Sequence, residues 1–413
     1  MIKYFSLKNW GPFKELNEWH GDLLNPKNAD YYDNNITSMA MIYGRNMSGK
    51  SVFIEALKFI KRLISGDGKV DYWHTDYYYN GPKEGVQCKA EPTEFVLEFA
   101  SHDKLYRYEI SMLLQDRSIV SENLLYKDLD TPKKRFKFIY SRENYTDIKL
   151  YFDFGEFGHL LEKYFNDTDE TLIHRMIITN GALDVDEIAI PYHYFKNDLH
   201  FVDEESFIAT ETGVSLTDIL VPNIMDKLDD MGVPVDGYDL IERTDRSFIE
   251  LYGNDAAEIK RIMGCFEGDS INIILCNKHG IFIITNTTES VYKCYRLALS
   301  RNGIDVNSKG LINIAKLAIM SICTDDGTYI YDDFISSVDE RYIQKFFDLW
   351  KGTVRYKQFI GISSNTNFMD WFDRADVSFI THDAKVSKVI NPMKDLKWRN
   401  DKLLSKGYLE EIL

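Results

Sequence analysis

Apolar residues change their spacing several times along the chain, and each change marks an element. Ile36-Thr37-Ser38-Met39-Ala40-Met41-Ile42-Tyr43 is short, mostly apolar and free of alternation, the pattern of a parallel strand buried on both faces. Just beyond it, Val52, Phe53, Ala56, Leu57, Ile60 and Ile64 recur at helical spacing, with Glu55, Lys58, Lys61 and Arg62 on the other side. Near the start, Tyr4-Phe5-Ser6-Leu7 reads as a strand, followed by a turn with aromatic anchors, Lys8-Asn9-Trp10-Gly11-Pro12-Phe13. Alternation takes over from Glu94 to Ser141. Phe95, Leu97 and Phe99, then Tyr106, Tyr108 and Ile110, then Ser118 to Tyr126 and Phe136 to Tyr140 predict an antiparallel meander. The loop between, residues 66–90, holds an aromatic cluster from Tyr72 to Tyr79. Packing of the loop onto the body explains that cluster better than base stacking or a partner surface.

Residues 151–265 read as mainly helical and acidic, with breaks at Gly181, Pro191, Pro222 and Gly232-Val233-Pro234. Ile271 to Cys276 and Ile281 to Thr285 then flank Asn277-Lys278-His279-Gly280 as a hairpin. That tetrapeptide lacks the Asp of a guanine-reading N-K-x-D motif, so a GTPase is set aside. A strongly apolar helix follows from Leu311 to Ile322, introduced by Asn307-Ser308-Lys309-Gly310. Gly327-Thr328-Tyr329-Ile330-Tyr331 is a short β-rich run ending in Asp332-Asp333. A helix from Tyr342 to Trp350 precedes a polar-tipped strand, Phe359 to Asn365.

Between the first buried strand and its helix lies Gly44-Arg45-Asn46-Met47-Ser48-Gly49-Lys50-Ser51, which matches G-x-x-x-x-G-K-[ST]. Strand, glycine loop and helix together aim backbone N–H groups and a helix N-terminus at one phosphate cluster. Gly44 and Gly49 permit close backbone approach. Lys50 is placed to reach the β- and γ-phosphates, and the Ser51 hydroxyl to coordinate magnesium. Arg45, Asn46 and Met47 fill the variable positions, Asn46 offering an amide toward a γ-phosphate or an attacking water. Val52 follows at the helix start.

Composition narrows the alternatives. The chain has 413 residues and a formal net charge of −16, which argues against a surface given over to nucleic acid. No opening signal peptide and no span long enough for a bilayer are seen, which predicts a cytoplasmic protein with no membrane contact. Cys88, Cys265, Cys276, Cys294 and Cys323 form no C-x-x-C pair and read as reduced, buried thiols. A basic stretch does gather near the C-terminus: Lys385, Lys388, Lys394, Lys397, Arg399, Lys402 and Lys406. A solvated, partly salt-bridged tail is its default reading, and docking of an acidic partner or phosphate the lesser one.

A phosphate loop needs an acidic partner. Asp332 fits a magnesium ligand, and Asp333 a base that orients or deprotonates water. Ser308 and Gly310 at the start of the apolar helix can offer a hydroxyl, a bare N–H and a positive dipole end to an anion, although Ser308 alone reads as an ordinary N-cap.

The order of glycine loop, long insertion, Ser-x-Gly helix, acidic strand, Ser-x-x-Asp turn and polar-tipped strand resembles the ABC-type ATPases of the SMC/RecF/OLD group. It looks most like the compact AAA-type ATPases of bacterial abortive-infection and antiphage defence, of the PARIS AriA-like kind. Tyr106-Arg107-Tyr108-Glu109-Ile110, Ser121-Glu122-Asn123-Leu124, Asp376 to Ile380, and Trp398-Arg399-Asn400-Asp401 with Gly407-Tyr408-Leu409 also carry the resemblance. It implies an α/β, ABC-type P-loop ATPase head with a mixed central sheet and an antiparallel β subdomain. Residues 1–150 and 266–413 would form the head and 151–265 a mostly helical insertion. Two heads would sandwich ATP and Mg2+, making a homodimer or higher homo-oligomer. Ser308, Lys309 and Gly310 would then contact a γ-phosphate held by the partner, with Ser337 and Asp339 in the adjoining turn and Ser364 at the switch position.

Three departures from the family pattern predict slow hydrolysis. Asp332-Asp333 stands where Asp-Glu is usual, Lys309 where a small residue is common, and Ser364 where a switch histidine is expected. Thr381-His382-Asp383 resembles a switch motif but follows the next strand, so His382 reads as a turn residue. The resemblance further implies a switch or sensor that governs a separate effector, a nuclease or toxin, and answers a phage-encoded trigger. The alternative is an OLD- or RecF-like ATPase acting directly on DNA by cleavage or repair. The stretch after Ser364 is shorter than a Toprim nuclease requires. Asp184-Val185-Asp186-Glu187 and Asp203-Glu204-Glu205 read as solvated faces, and long heptad arms are absent.

Overall fold

The computed structural model describes residues 1–22, 32–33, 36–66, 68–70, 74–80, 88–129, 135–152, 154–179, 185–203, 206–212, 214–243, 259, 271–286, 292–306, 308–322, 326–333, 338–353, 357–383, 386–398 and 402–412. Strands β1 (Ile2–Lys8), β2 (Asn17–His20), β3 (Tyr32–Asp33), β4 (Ile36–Thr37) and β5 (Met39–Gly44) precede helix α1 (Lys50–Ser65). The alternating region becomes β6 (Thr93–Ser101), β7 (Lys104–Leu113), β8 (Ser118–Asp128), β9 (Lys137–Glu143) and β10 (Asp147–Leu150). Helices α2 (Gly155–Tyr164), α3 (Leu172–Ile178) and α4 (Asp186–His193) lead to β11 (Leu199–Val202) and β12 (Ser206–Thr212). Then come α5 (Val221–Asp230), β13 (Gly237–Arg243), β14 (Ile271–Asn277), β15 (Gly280–Asn286), β16 (Tyr292–Arg301) and β17 (Ile304–Asp305). The chain ends through α6 (Lys309–Ile322), β18 (Gly327–Tyr331), α7 (Glu340–Thr353), β19 (Lys357–Ser363), β20 (Val377–Asp383), β21 (Val386–Ile390) and α8 (Leu404–Gly407).

Two compact units result. Met1–His200, Gly327–Ile330 and Tyr356–Leu413 form the first, and Phe201–Asp326 with Tyr331–Arg355 the second. The protein is α/β with several sheets.

In the first unit, the meander and the N-terminal strands make an antiparallel sheet ordered β10-β9-β8-β7-β6-β1-β2. A second sheet is ordered β11-β18-β19-β5-β20-β21, its first two strands running past the unit boundary. Every residue of β5 is buried, and both its neighbours, β19 and β20, are parallel to it. That double cover is why the β5 sequence shows no polar alternation. The expected single strand from Ile36 to Tyr43 is broken at Ser38, where the Thr37 hydroxyl bonds the Met39 backbone and bends the chain. Helix α1 buries Phe53, Ile54, Leu57, Phe59, Ile60, Leu63 and Ile64, each worth about 1.5–3 kcal/mol when fully covered. Phe53 and Leu57 meet Phe5, Trp19, Ile42 and Ile360 around a small apolar void. Buried Gln358 ties the sheets together, exchanging bonds with both backbone groups of Ile2 and donating to the Thr37 carbonyl.

The second unit has an antiparallel sheet ordered β12-β14-β15-β16-β13, with β17 added to β16. Ile271, Ile273, Leu275, Phe282 and Ile284 form its core cluster with Ile259. Helix α6, buried continuously from Leu311 to Met320, packs beside α5 and α7. The predicted hairpin at Asn277–Gly280 is present, with Gly280 at φ +142° and the His279 N–H donating to the Asn277 side chain. Strands β11, β12 and β13 lie in the stretch read as mainly helical. β13, Gly237–Arg243, is a largely exposed edge strand and so carries no apolar alternation to betray it. Cys88 and Cys276 are buried free thiols and Cys294 is half-buried and free; Cys265 and Cys323 fall outside the described residues. Among the described residues no helix is long and apolar enough to cross a membrane.

Candidate functional site

β5 ends at Gly44, and Arg45 to Gly49 turn the chain into α1. The turn uses left-handed backbone twice, at Met47 (φ +65°) and Gly49 (φ +106°). Met47 stands at the tip, 93% exposed. The Lys50 ammonium is folded back on the loop and donates to the carbonyls of Gly44 at 2.6 Å and Arg45 at 2.8 Å. The Ser48 N–H closes the loop onto the Arg45 carbonyl at 3.1 Å. Among the described residues no side chain caps α1, and no acidic residue lies in its first turn, so its own first turn does not offset its positive dipole end. Ser51 is exposed at that end. An ammonium beside an uncapped helix N-terminus is a chemistry for phosphate.

Two remote segments brace the loop. On one side the N-terminal turn closes through a Trp10–Phe13 bridge, and Pro12 and Phe13 come within 3.2 and 3.3 Å of where a Gly49 Cβ would sit. On the other, hairpin β20–β21 brings Ser387 against the loop, its hydroxyl donating to the Ser48 carbonyl at 2.6 Å. His382, expected in a turn, is instead on β20, its Nδ1 3.1 Å from the Ser387 hydroxyl. The strand extends past the parallel register of β5 because β21 pairs with its end, His382 opposite Ser387. A lone Ser in an apolar strand carries no signal in sequence, so the place of Ser387 beside the loop is seen only in the fold. Tyr408 also approaches, where burial raises its hydroxyl against the pull of Arg45, and its ring lies 4.9 Å from that of Phe379. Burial likewise pushes the Tyr43 hydroxyl far up, helped by Asp370. Ser364 is exposed just beyond β19, whose Ser363 is level with Tyr43.

The other expected residues belong to the second unit. Asp332 follows β18, half-buried, its N–H bonded to the Val202 carbonyl at 2.9 Å. Asp333 is exposed and left-handed at φ +51°, its N–H donating to the Asp332 carboxylate at 2.9 Å. Ser308 accepts from the Leu311 N–H at 3.3 Å, the N-cap role, with Lys309 exposed beside it and Gly310 half-buried. Asp339 receives the Arg341 N–H and guanidinium; those bonds hold its carboxyl below the ordinary range. Ser337 lies outside the described residues. The structure thus gathers Gly44 to Val52, Ser364 and His382 in one unit, and Ser308 to Gly310, Asp332, Asp333 and Asp339 in the other. Ser51 offers a hydroxyl oxygen in the first unit and Asp332 a carboxylate in the second.

No protein-family model matches the chain, and no curated protein does. Solved structures similar to it include an SMC head domain from Thermotoga maritima, at 14% identity and TM-score 0.38, covering 94% of this chain and 98% of that one. An SmcHead bound to the C-winged helix domain of ScpA gives 14% identity, TM-score 0.39 and coverage of 94% and 97%. An Smc head domain with an extended coiled coil, bound to the C-terminal domain of ScpA derived from Pyrococcus furiosus, gives 13%, 0.38, and 94% and 95%.

Proposed function

We propose that the chain is an ATP-binding, slowly hydrolysing ABC-type ATPase head that works as a nucleotide-dependent switch within a homo-oligomer. The observation that carries the reading is the Lys50 ammonium turned onto the Gly44 and Arg45 carbonyls, at an uncapped helix N-terminus free of acidic residues in its first turn. On this reading Lys50 exchanges those carbonyls for the β- and γ-phosphates, and the loop N–H groups take the remaining phosphate oxygens. Asp333 orients or deprotonates the attacking water, and Ser51 and Asp332 are assigned to magnesium. The metal, when bound, neutralises charge on the phosphates. Ser308, Lys309 and Gly310 are assigned to the partner head's γ-phosphate, with Asp339 and Ser337 beside them. A role in antiphage defence, with a separate nuclease or toxin under its control and a phage-encoded trigger, is the biological part of the proposal.

Part of the basic charge near the C-terminus is engaged by carboxylates of the chain itself. Lys394 pairs with Glu18, and Lys402 and Lys406 pair with Glu410. The test compares ATP binding and assembly size for wild type and Lys50→Ala. Wild type is expected to bind Mg-ATP and enlarge, and Lys50→Ala to do neither. Equal ATP affinity in the two proteins overturns the reading.

A further inference from the structure

We propose that Ser387, oriented by His382, is a positioning residue that fixes the Ser48–Gly49 peptide so that the Gly49 N–H faces bound phosphate. The inference deepens the nucleotide-binding reading and rests on it. Its starting point is register. β20 runs parallel to β5 with Ile380 beside Gly44, and β21 returns antiparallel with Ser387 opposite His382. The strand ends at His382 and Ser387 therefore lie beside the glycine loop, although Ser387 is 339 residues from Ser48 in sequence.

The hydrogen bonding then has one solution. A carbonyl only accepts, so the Ser387 hydroxyl donates to the Ser48 oxygen at 2.6 Å. With that proton committed, the His382 Nδ1, 3.1 Å away, must be the donor to the Ser387 oxygen. His382 thus locks a hydroxyl that would otherwise rotate. The Ser387 backbone is held from the far side, its N–H donating to the Pro12 carbonyl at 2.8 Å. Ser387 is fully buried, whereas His382 is exposed.

Peptide planarity carries the effect to the loop. In a trans peptide the C=O and the following N–H point to opposite sides, and the described chain contains no cis bond. Pinning the Ser48 carbonyl toward β21 turns the Gly49 N–H away from β21. Gly49 accepts this at φ +106°, and a Cβ there would sit 2.9 Å from the Ser387 hydroxyl, so glycine is required on both counts. A serine outside the motif accordingly sets the direction of one of its phosphate donors.

The experiment uses the full chain, with Mg-ATP and Mg-ADP titrated calorimetrically into wild type, Ser387→Ala, Ser387→Thr and His382→Ala, alongside steady-state hydrolysis and thermal melting. Losing one well-aimed N–H to a charged acceptor weakens both nucleotides alike, by about tenfold in Ser387→Ala. KM for ATP rises by a similar factor while kcat holds, because ground state and transition state lose the same contact. Ser387→Thr restores the affinity, and exposed His382→Ala, which leaves the core untouched, gives a smaller loss of the same kind. Wild-type affinity in Ser387→Ala or in His382→Ala overturns the proposal, as does a melting shift with KM unmoved. Should Ser387→Ala fail to fold, His382→Ala decides. A wild type that binds neither nucleotide brings down the underlying reading as well, which separates the two failures.

Discussion

The Trp10 indole N–H donates to the Val52 carbonyl at 3.0 Å, joining the N-terminal turn to the first turn of the helix behind the glycine loop. Trp10 is fully buried among Phe59, His74, Tyr77 and Phe95, with ring centroids 4.8 to 5.5 Å away. Gly11 next to it is left-handed at φ +52°, and a Cβ there would lie 2.6 Å from a Val52 methyl. Trp10→Phe, which keeps most of the ring and loses the bond, is expected to cost about 1 kcal/mol in urea unfolding. Trp10→Ala is expected to cost about 3–5 kcal/mol. An unchanged urea midpoint in the alanine variant would remove the turn as a clamp on α1.

Asp333 combines an exposed carboxylate with a left-handed backbone, φ +51°. Asparagine tolerates that conformation, so Asp333→Asn removes the charge without adding strain, whereas Asp333→Ala adds about 1 kcal/mol or more of backbone cost. If Asp333 handles the attacking water, both variants keep ATP affinity. Both also lose hydrolysis by about 10²–10⁴-fold and accumulate the ATP-loaded assembly. Turnover assays with light scattering read this directly. Hydrolysis at the wild-type rate in Asp333→Asn would strip the residue of its role.

What could be read from sequence follows the range of the interactions. The β5–loop–α1 unit is legible because a buried strand, a glycine loop and an amphipathic helix each leave a local period, as the alternating β6 to β9 do. Thr37 bending the chain at Ser38 is local too, yet invisible, since a hydroxyl in an apolar run reads as any other small residue. Ser387 and His382 were illegible as loop supports for the opposite reason. Their meaning comes only from strand register across the sheet. β13 escaped because an exposed edge strand needs no apolar face.

Glu55 gives a pH test of the packing behind the loop. Burial pushes its carboxyl up, but bonds with His74 at 3.0 Å and Arg62 at 2.7 Å outweigh that and bring it down to about 2, below the ordinary 4.5. A depressed carboxylate contributes stability that is present above the unfolded pKa and lost as pH falls through the folded one. The window is therefore between about 4.5 and about 2. Wild type is expected to exceed Glu55→Gln in unfolding free energy at pH 7 by a few kcal/mol at most, the gap closing across that window. A gap that stays constant down to pH 2 would show that the pair does not carry the charge.

Arg142 and Glu122 are both wholly covered, their side chains 3.9 Å apart. The Arg142 guanidinium donates to the carbonyls of Tyr145, Asp167 and Glu170 at 2.6 to 2.7 Å, tying the end of β9 to the segment before α3. Glu122 accepts from Tyr108, Tyr140 and the Leu172 N–H; burial raises its carboxyl, against the pull of Arg142 beside it. Arg142→Met leaves the carbonyls and a carboxylate unpaired in the interior, a change expected to cost about 3–5 kcal/mol. In Glu122→Gln with Arg142→Met no uncompensated charge remains, so the double variant should lose less than the two singles added. Denaturant unfolding of the four proteins should give a coupling energy of about 0.5–3 kcal/mol. A coupling near zero would mean that Arg142 holds the segment through its carbonyl bonds alone, with Glu122 a bystander to its charge.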